Sequence, residues 1–153
     1  MSAPSTSVGT KARKAFSKSG SPQTAGVTAN GATASTLSSH YHSKIHEVLG
    51  IARGRARVQL GGPRGGVFEF AVGDVVVLPA GTGHQKLSGS DDLVVIGAYP
   101  PEGTYNLCRG DNPAEHDKAL TTIPRVPLPD SDPVLGKNGP LPKLWRSGTS
   151  AIG

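Results

Sequence analysis

The sequence predicts an all-β domain, a sandwich or barrel of short strands, preceded by a disordered extension and followed by a proline-rich segment wrapped over it. Three observations lead there. Between residues 33 and 100, short apolar runs recur at close spacing, with glycine-rich turns between them. Stretches such as "ARVQL" set Ala56, Val58 and Leu60 against Arg57 and Gln59 with a period of 2. Large apolar residues are concentrated in this region, whereas the first 39 positions hold few beyond Met1, Val8, Phe16, Val27 and Leu37. A chain of 153 residues suits one such domain.

Residues 1–32 are rich in Ser, Thr, Ala and Gly and carry no sustained period, the composition of a disordered extension. The segment is also basic and acid-free, as a mitochondrial transit peptide would be, although the amphipathic stripe around "VGTKARKAFSKSG" is weak. The barrel is expected over residues 33–110. "HYH" and "HEVLGIA" open it, "ARVQL" follows, and "GGPRGG" connects to "VFEF" as a hairpin loop, since it lacks the Lys-Ser/Thr ending of a phosphate loop. "VGD" then turns the chain into "VVVLPAG", and "SGSDD" turns it into "LVVIGAY". Residues 111–153 are expected to run extended over the barrel. Their prolines, including 113, 124, 127, 129, 133, 140 and 142, lack the N–H that a central strand needs, and Leu144 and Trp145 are placed to anchor the end.

Charge and cysteine content narrow the function classes. The net charge is +5, but up to Lys44 there are five basic residues and no acid, and the rest of the chain balances eleven basic residues against eleven acidic ones. The body offers no excess charge for phosphate neutralisation, so nucleic acid is not an expected partner. Arg53, Arg55 and Arg57 alternate with Gly54, Ala56 and Val58 as the solvent face of a strand does. Cys108 is the one cysteine and reads as a buried thiol in a reducing compartment. No apolar run is long enough for a bilayer, so a cytoplasmic protein without a membrane partner is expected, with the mitochondrion as the alternative.

The stretch "HYHSKIHEVLGIARG", residues 40–54, carries the chemistry. In a strand, residues two apart share a face, so His40 and His42 point one way and Tyr41 the other. His46 and Glu47 compete for the same side. Glu47 shares parity with the large apolar Leu49 and Ile51 and is the better inward candidate, which leaves His46 as a surface histidine or, alternatively, a group supporting the ligands or carrying a proton. Two neutral imidazoles with one carboxylate form the mixed N/O donor set of Fe(II), Mn(II), Ni(II) or Zn(II), and the carboxylate offsets part of the cation's charge in a low dielectric. His84, after the turn "LPAGTG", is the candidate fourth ligand, brought opposite His40 by barrel closure.

Together, "HYHSKIHEVLGIARG" and "GDVVVLPAGTGH" resemble the two signature motifs of the cupin superfamily. The first, His, one residue, His, four residues, Glu, six residues, Gly, is met by His40, His42, Glu47 and Gly54. The second, Gly, five residues, Pro, one residue, Gly, two residues, His, is met by Gly73, Pro79, Gly81 and His84. "VIGAYP" and the tail "VPLPDSDPVLGKNGPLPKLW" add a likeness to the YjlB-like single-domain cupins over about residues 39–146. The resemblance implies a double-stranded β-helix, jelly-roll-like barrel with three histidines and a glutamate holding a divalent metal in its mouth. It also implies pairing of two copies as a homodimer. Two positions depart from the pattern: Ala34 stands where the first motif begins with glycine, and Ser88 where the second often ends in asparagine.

The implied function is a metal-dependent dioxygenase, isomerase or lyase acting on a small organic molecule. The alternative is a cupin that binds a metal or small ligand without turnover. Tyr99 and Tyr105 read as core packing, with a place on the cavity wall as the alternative.

Overall fold

A computed structural model describes residues 11–13, 28–32 and 38–149, with side chains from 38 to 147. Its strands are β1 (Lys11–Arg13), β2 (Thr28–Ala32), β3 (Glu47–Arg53), β4 (Arg55–Leu60), β5 (Gly66–Ala71), β6 (Asp74–Leu78), β7 (His84–Gly89) and β8 (Val94–Tyr99). They form two sheets, ordered β1-β6-β3-β8-β2 and β5-β4-β7, and every pairing is antiparallel. The strands β3 to β8 follow the alternation and turn signals of residues 47–99. "GGPRGG" closes a hairpin in which Leu60 pairs with Gly66. The motif glycines Gly54, Gly73 and Gly81 all take positive φ, at 75°, 87° and 87°, where an L side chain is disfavoured.

Ile51, Ala56, Leu60, Phe70, Val76, Leu78 and Val95 form the core between the sheets. Fully burying Leu60 and Leu78 contributes about 1.5–3 kcal/mol each. All of β6 is buried, which accounts for the unbroken run "DVVVL". Val76 and Leu78 join the central core, while Val77 packs behind the sheet on Leu141 and Trp145.

Two features depart from the sequence expectation. The C-terminal segment is not extended throughout: it builds α1 (Pro113–Thr122), a 3-10 turn (Ile123–Arg125) and α2 (Leu141–Thr149). Read only as strand breakers, prolines hide their other role. Pro113 and Pro142 stand in first helical turns, where the N–H has no intrahelical partner to lose. The Asn112 side chain caps α1 by accepting from Ala114 N and Glu115 N at 3.0 and 3.3 Å. In α2, Leu141 and Trp145 lie four residues apart on the buried face, so Leu141 replaces Leu144 as an anchor, and Leu144 is exposed.

The second departure is at the N-terminus. Within the segment read as a disordered extension, Lys11–Arg13 pairs with β6 and Thr28–Ala32 pairs with β8. Such pairing uses backbone groups at sheet edges, which side-chain composition does not register. The rest of that segment, and with it the transit-peptide reading, lies outside the described residues. Among the described residues no helix is long and apolar enough to cross a membrane.

Candidate metal centre

His40 and His84 form an antiparallel bridge, His40 N donating to His84 O at 3.1 Å and His84 N to His40 O at 2.9 Å. Backbone pairing therefore sets the two imidazoles side by side, their centroids 4.2 Å apart. His42, two residues on, shares the face of His40, and its carbonyl accepts from Gly81 N at 2.7 Å, tying the first motif to the turn that carries the second. One donor atom from each of His40, His42 and His84 lies within 4.8 Å of the others. Atoms 2.0–2.2 Å from one ion are at most about 4.4 Å apart, so the cluster sits within a few tenths of an ångström of ligating separation.

Glu47 opens β3 with the inward parity expected of it. Its Oε2 lies 3.3 Å from His42 Nε2 and 3.2 Å from His84 Nε2. All four side chains proposed from the sequence thus meet in one place, and all four are buried.

Each imidazole also has its other nitrogen engaged. Nδ1 of His40 donates to Ser38 O at 3.1 Å, Nδ1 of His84 to Thr82 O at 3.2 Å, and Nδ1 of His42 to Asn106 O. A carbonyl can only accept, so the proton sits on Nδ1 and the lone pair on Nε2, the arrangement that outer hydrogen bonds impose on metal-ligating histidines. Among the described residues, His42 Nε2 and Glu47 Oε2 are buried without a hydrogen-bond partner. Buried polar atoms are ordinarily paired, and these two face each other across the cluster, so the residues fit a divalent cation.

The electrostatics agree. Burial alone would raise the Glu47 carboxyl, but His42 and His84 beside it outweigh burial and hold it well below the usual carboxylate range. Burial pushes His42 down, yet Glu47 and the Asn106 carbonyl carry it above its ordinary value. His40 is lowered, by burial first and then by its two histidine neighbours against the Ser38 carbonyl.

Two supporting residues have roles that no sequence signal assigned. Asn106 lies in a loop 64 residues from His42. Its Oδ1 accepts from Ser43 N and Lys44 N at 3.2 and 3.1 Å, and its Nδ2 donates to Ser43 Oγ at 3.0 Å, shaping the bend that returns the chain from His42 to Glu47. Tyr99 donates from its hydroxyl to Glu47 Oε1 at 2.8 Å, leaving Oε2 to the histidines. Burial first, and then the Glu47 charge, raise the Tyr99 phenol far above its ordinary range, so it stays a donor.

His46 corrects an expectation. It is not at the surface but 8% exposed: its Nδ1 accepts from Ala80 N and its Nε2 donates to Pro127 O, both at 2.9 Å, and its ring meets Trp145 edge-on at 4.9 Å. Outward parity in β3 leads under the C-terminal segment rather than into water. Tyr99 and Tyr105 take the cavity-lining role rather than the core-packing one. Both line a cavity of about 140 Å³ that opens beside His40, Glu47 and His84 and is floored by core residues such as Ile51, Phe70 and Val95.

The sequence profile of the cupin family matches residues 14–107. This chain belongs to the cupin family. The match starts inside the segment that composition reads as an extension. The cupin is similar to the uncharacterized protein YjlB of Bacillus subtilis (strain 168), 46% identical over 106 residues that make up 69% of this chain and 64% of YjlB. The chain thus spans less than two thirds of that relative's length. Among solved structures, a mutant of Bacillus subtilis oxalate decarboxylase matches with 22% identity and a TM-score of 0.41, over 55% of this chain and 24% of that one. Another structure of the same enzyme, described for its Mn(II) centres, matches over the same shares with 22% identity and a TM-score of 0.39.

Proposed function

We propose that this cupin binds a divalent metal, Fe(II), Mn(II), Ni(II) or Zn(II), through His40, His42, Glu47 and His84, and that it acts there on a small organic molecule as a dioxygenase, isomerase or lyase. One observation carries the reading: three imidazoles, each with Nδ1 committed to a carbonyl, meet one carboxylate, and among the described residues His42 Nε2 and Glu47 Oε2 are buried there without a hydrogen bond. A bound divalent ion supplies Lewis acidity to an oxygen of the substrate. The chain's own residues do the rest. Tyr99 holds the carboxylate, the backbone carbonyls and Asn106 orient the imidazoles, and the apolar cavity excludes water from the reacting group.

Metal content of purified wild type and His84→Ala tests the ligand set. Wild type retains about one equivalent per chain, as a closed site predicts, and the variant loses it. Equal content in both refutes the ligand set. Anaerobic loading with Fe(II), followed by oxygen uptake against a panel of small acids and alcohols, tests turnover. Absence of turnover with every metal moves the chain to the class of metal-binding cupins without catalysis.

A further inference from the structure

Lys86 lies two residues beyond His84 on β7, so both side chains leave the same face of the strand, about 7 Å apart along it. The register agrees: His84 pairs with Leu60 and Lys86 with Val58. Lys86 lines the cavity together with His40, Glu47 and His84. It is half-buried and makes no ion pair among the described residues. Among the described residues the one carboxylate on the wall is Glu47, whose Oε1 accepts from Tyr99 and whose Oε2 faces His42 and His84. The remainder of the wall is largely apolar, with Ile51, Val58, Phe70 and Val95 as its floor and side.

A lysine partly withdrawn from water, beside an apolar chamber and without a counter-charge, favours a ligand that brings one. Away from the histidines, Glu47, the tyrosines and Lys86, the floor and side of the chamber accept hydrocarbon. We infer that this cavity takes a small monocarboxylic acid with a short apolar body, its carboxylate beside the Lys86 ammonium and its hydrocarbon on Ile51, Val58, Phe70 and Val95. The volume sets the size. Apolar cavities of about 150 Å³ admit benzene, so roughly five or six heavy atoms of hydrocarbon fit. A neutral alcohol leaves the ammonium unpaired, an amine meets like charge, and a dicarboxylate forces a second anion against the apolar wall. The inference rests on reading this cavity as the small-molecule site, and not on which ion the histidines hold.

Calorimetric titration of the full chain, metal-loaded and chelator-stripped, with 3-methylbutanoate, 3-methylbutan-1-ol, 3-methylbutylamine and succinate tests it. In wild type, 3-methylbutanoate binds on the order of tenfold tighter than the other three probes, as expected of one charge-assisted contact. Lys86→Met keeps the apolar stem and drops the acid to the level of the alcohol, Lys86→Arg restores the preference, and thermal melts of both variants match wild type. An acid affinity unchanged in Lys86→Met refutes the inference, because the ion or the histidines then hold the anion. Succinate binding as tightly as 3-methylbutanoate to the chelator-stripped protein refutes the apolar body. No binding of any probe to either form refutes the site. Metal content measured on the same samples separates this result from the ligand set: a Lys86-dependent acid preference in protein that holds no metal supports the inference while the metal reading fails.

Discussion

Replacing His46 by alanine tests how the fold holds the site. The side chain is a buried strut, not a ligand: it joins the turn at Ala80 to the carbonyl of Pro127 and rests on Trp145 of α2. Its removal strands a fully buried Ala80 N–H, at a cost of about 1–3 kcal/mol, and a part-buried Pro127 carbonyl that water can partly satisfy, at about 0.5–1.5 kcal/mol. The lost ring pair adds about 0.5–1.5 kcal/mol. The total, about 2–6 kcal/mol, is a large part of the 5–15 kcal/mol typical of a domain. With a urea slope of about 2 kcal/mol per molar, the midpoint of unfolding falls by about 1–3 M. Equilibrium urea unfolding of wild type, His46→Ala and His46→Gln measures it, and the glutamine variant, which offers both an acceptor and a donor, recovers part of the loss. A midpoint for His46→Ala within about 0.3 M of wild type refutes the strut. Because the turn at Ala80 leads directly to His84, the alanine variant also holds metal more weakly, although it removes no ligand.

The same residue gives stability a pH dependence. Burial pushes the His46 imidazole below its ordinary value of 6.5, against a smaller opposing effect of the Pro127 carbonyl. The unfolded chain therefore takes up the proton first on acidification. The contribution is fully present above pH 6.5 and is lost as pH falls toward the lowered folded value, so the stability gap between wild type and His46→Gln narrows with acidification; a gap constant from pH 7.5 to 5 contradicts this. Tyr99→Phe removes the donor on Glu47 Oε1 and lowers metal affinity by about 10–100-fold, the usual effect of an outer partner, measured by competition with a chromophoric chelator; a change within about twofold contradicts it. Gly81→Ala combines a φ of +87° with a Cβ 2.7 Å from Ile123 Cδ1, and destabilises by about 1–3 kcal/mol, lowering the melting temperature by about 4–10 °C; an unchanged melt contradicts it.

Legibility in the sequence followed the range of the interactions. The parity of "HYH" and of Glu47 with Leu49 and Ile51 was readable because a strand repeats every two residues, whatever surrounds it. The turns were readable because Gly54, Gly73 and Gly81 take backbone conformations that other residues avoid. His46 was misread since parity tells which face a side chain leaves, and not what covers that face. The helices α1 and α2 were missed because their prolines serve a first turn as readily as they break a strand.

What the sequence alone determined is therefore local: an all-β cupin pattern, a set of candidate donors, and the side from which each strand presents them. Tertiary structure decided everything that joins distant segments. It set His84 against His40 through a backbone bridge, put Asn106 behind His42 and Tyr99 behind Glu47, covered His46 with α2, and placed Lys86, without an ion pair among the described residues, on the wall of a largely apolar chamber. The physical reason is that such contacts depend on how two sheets close over one core, and no periodicity along the chain encodes a partner some 40 to 100 residues away.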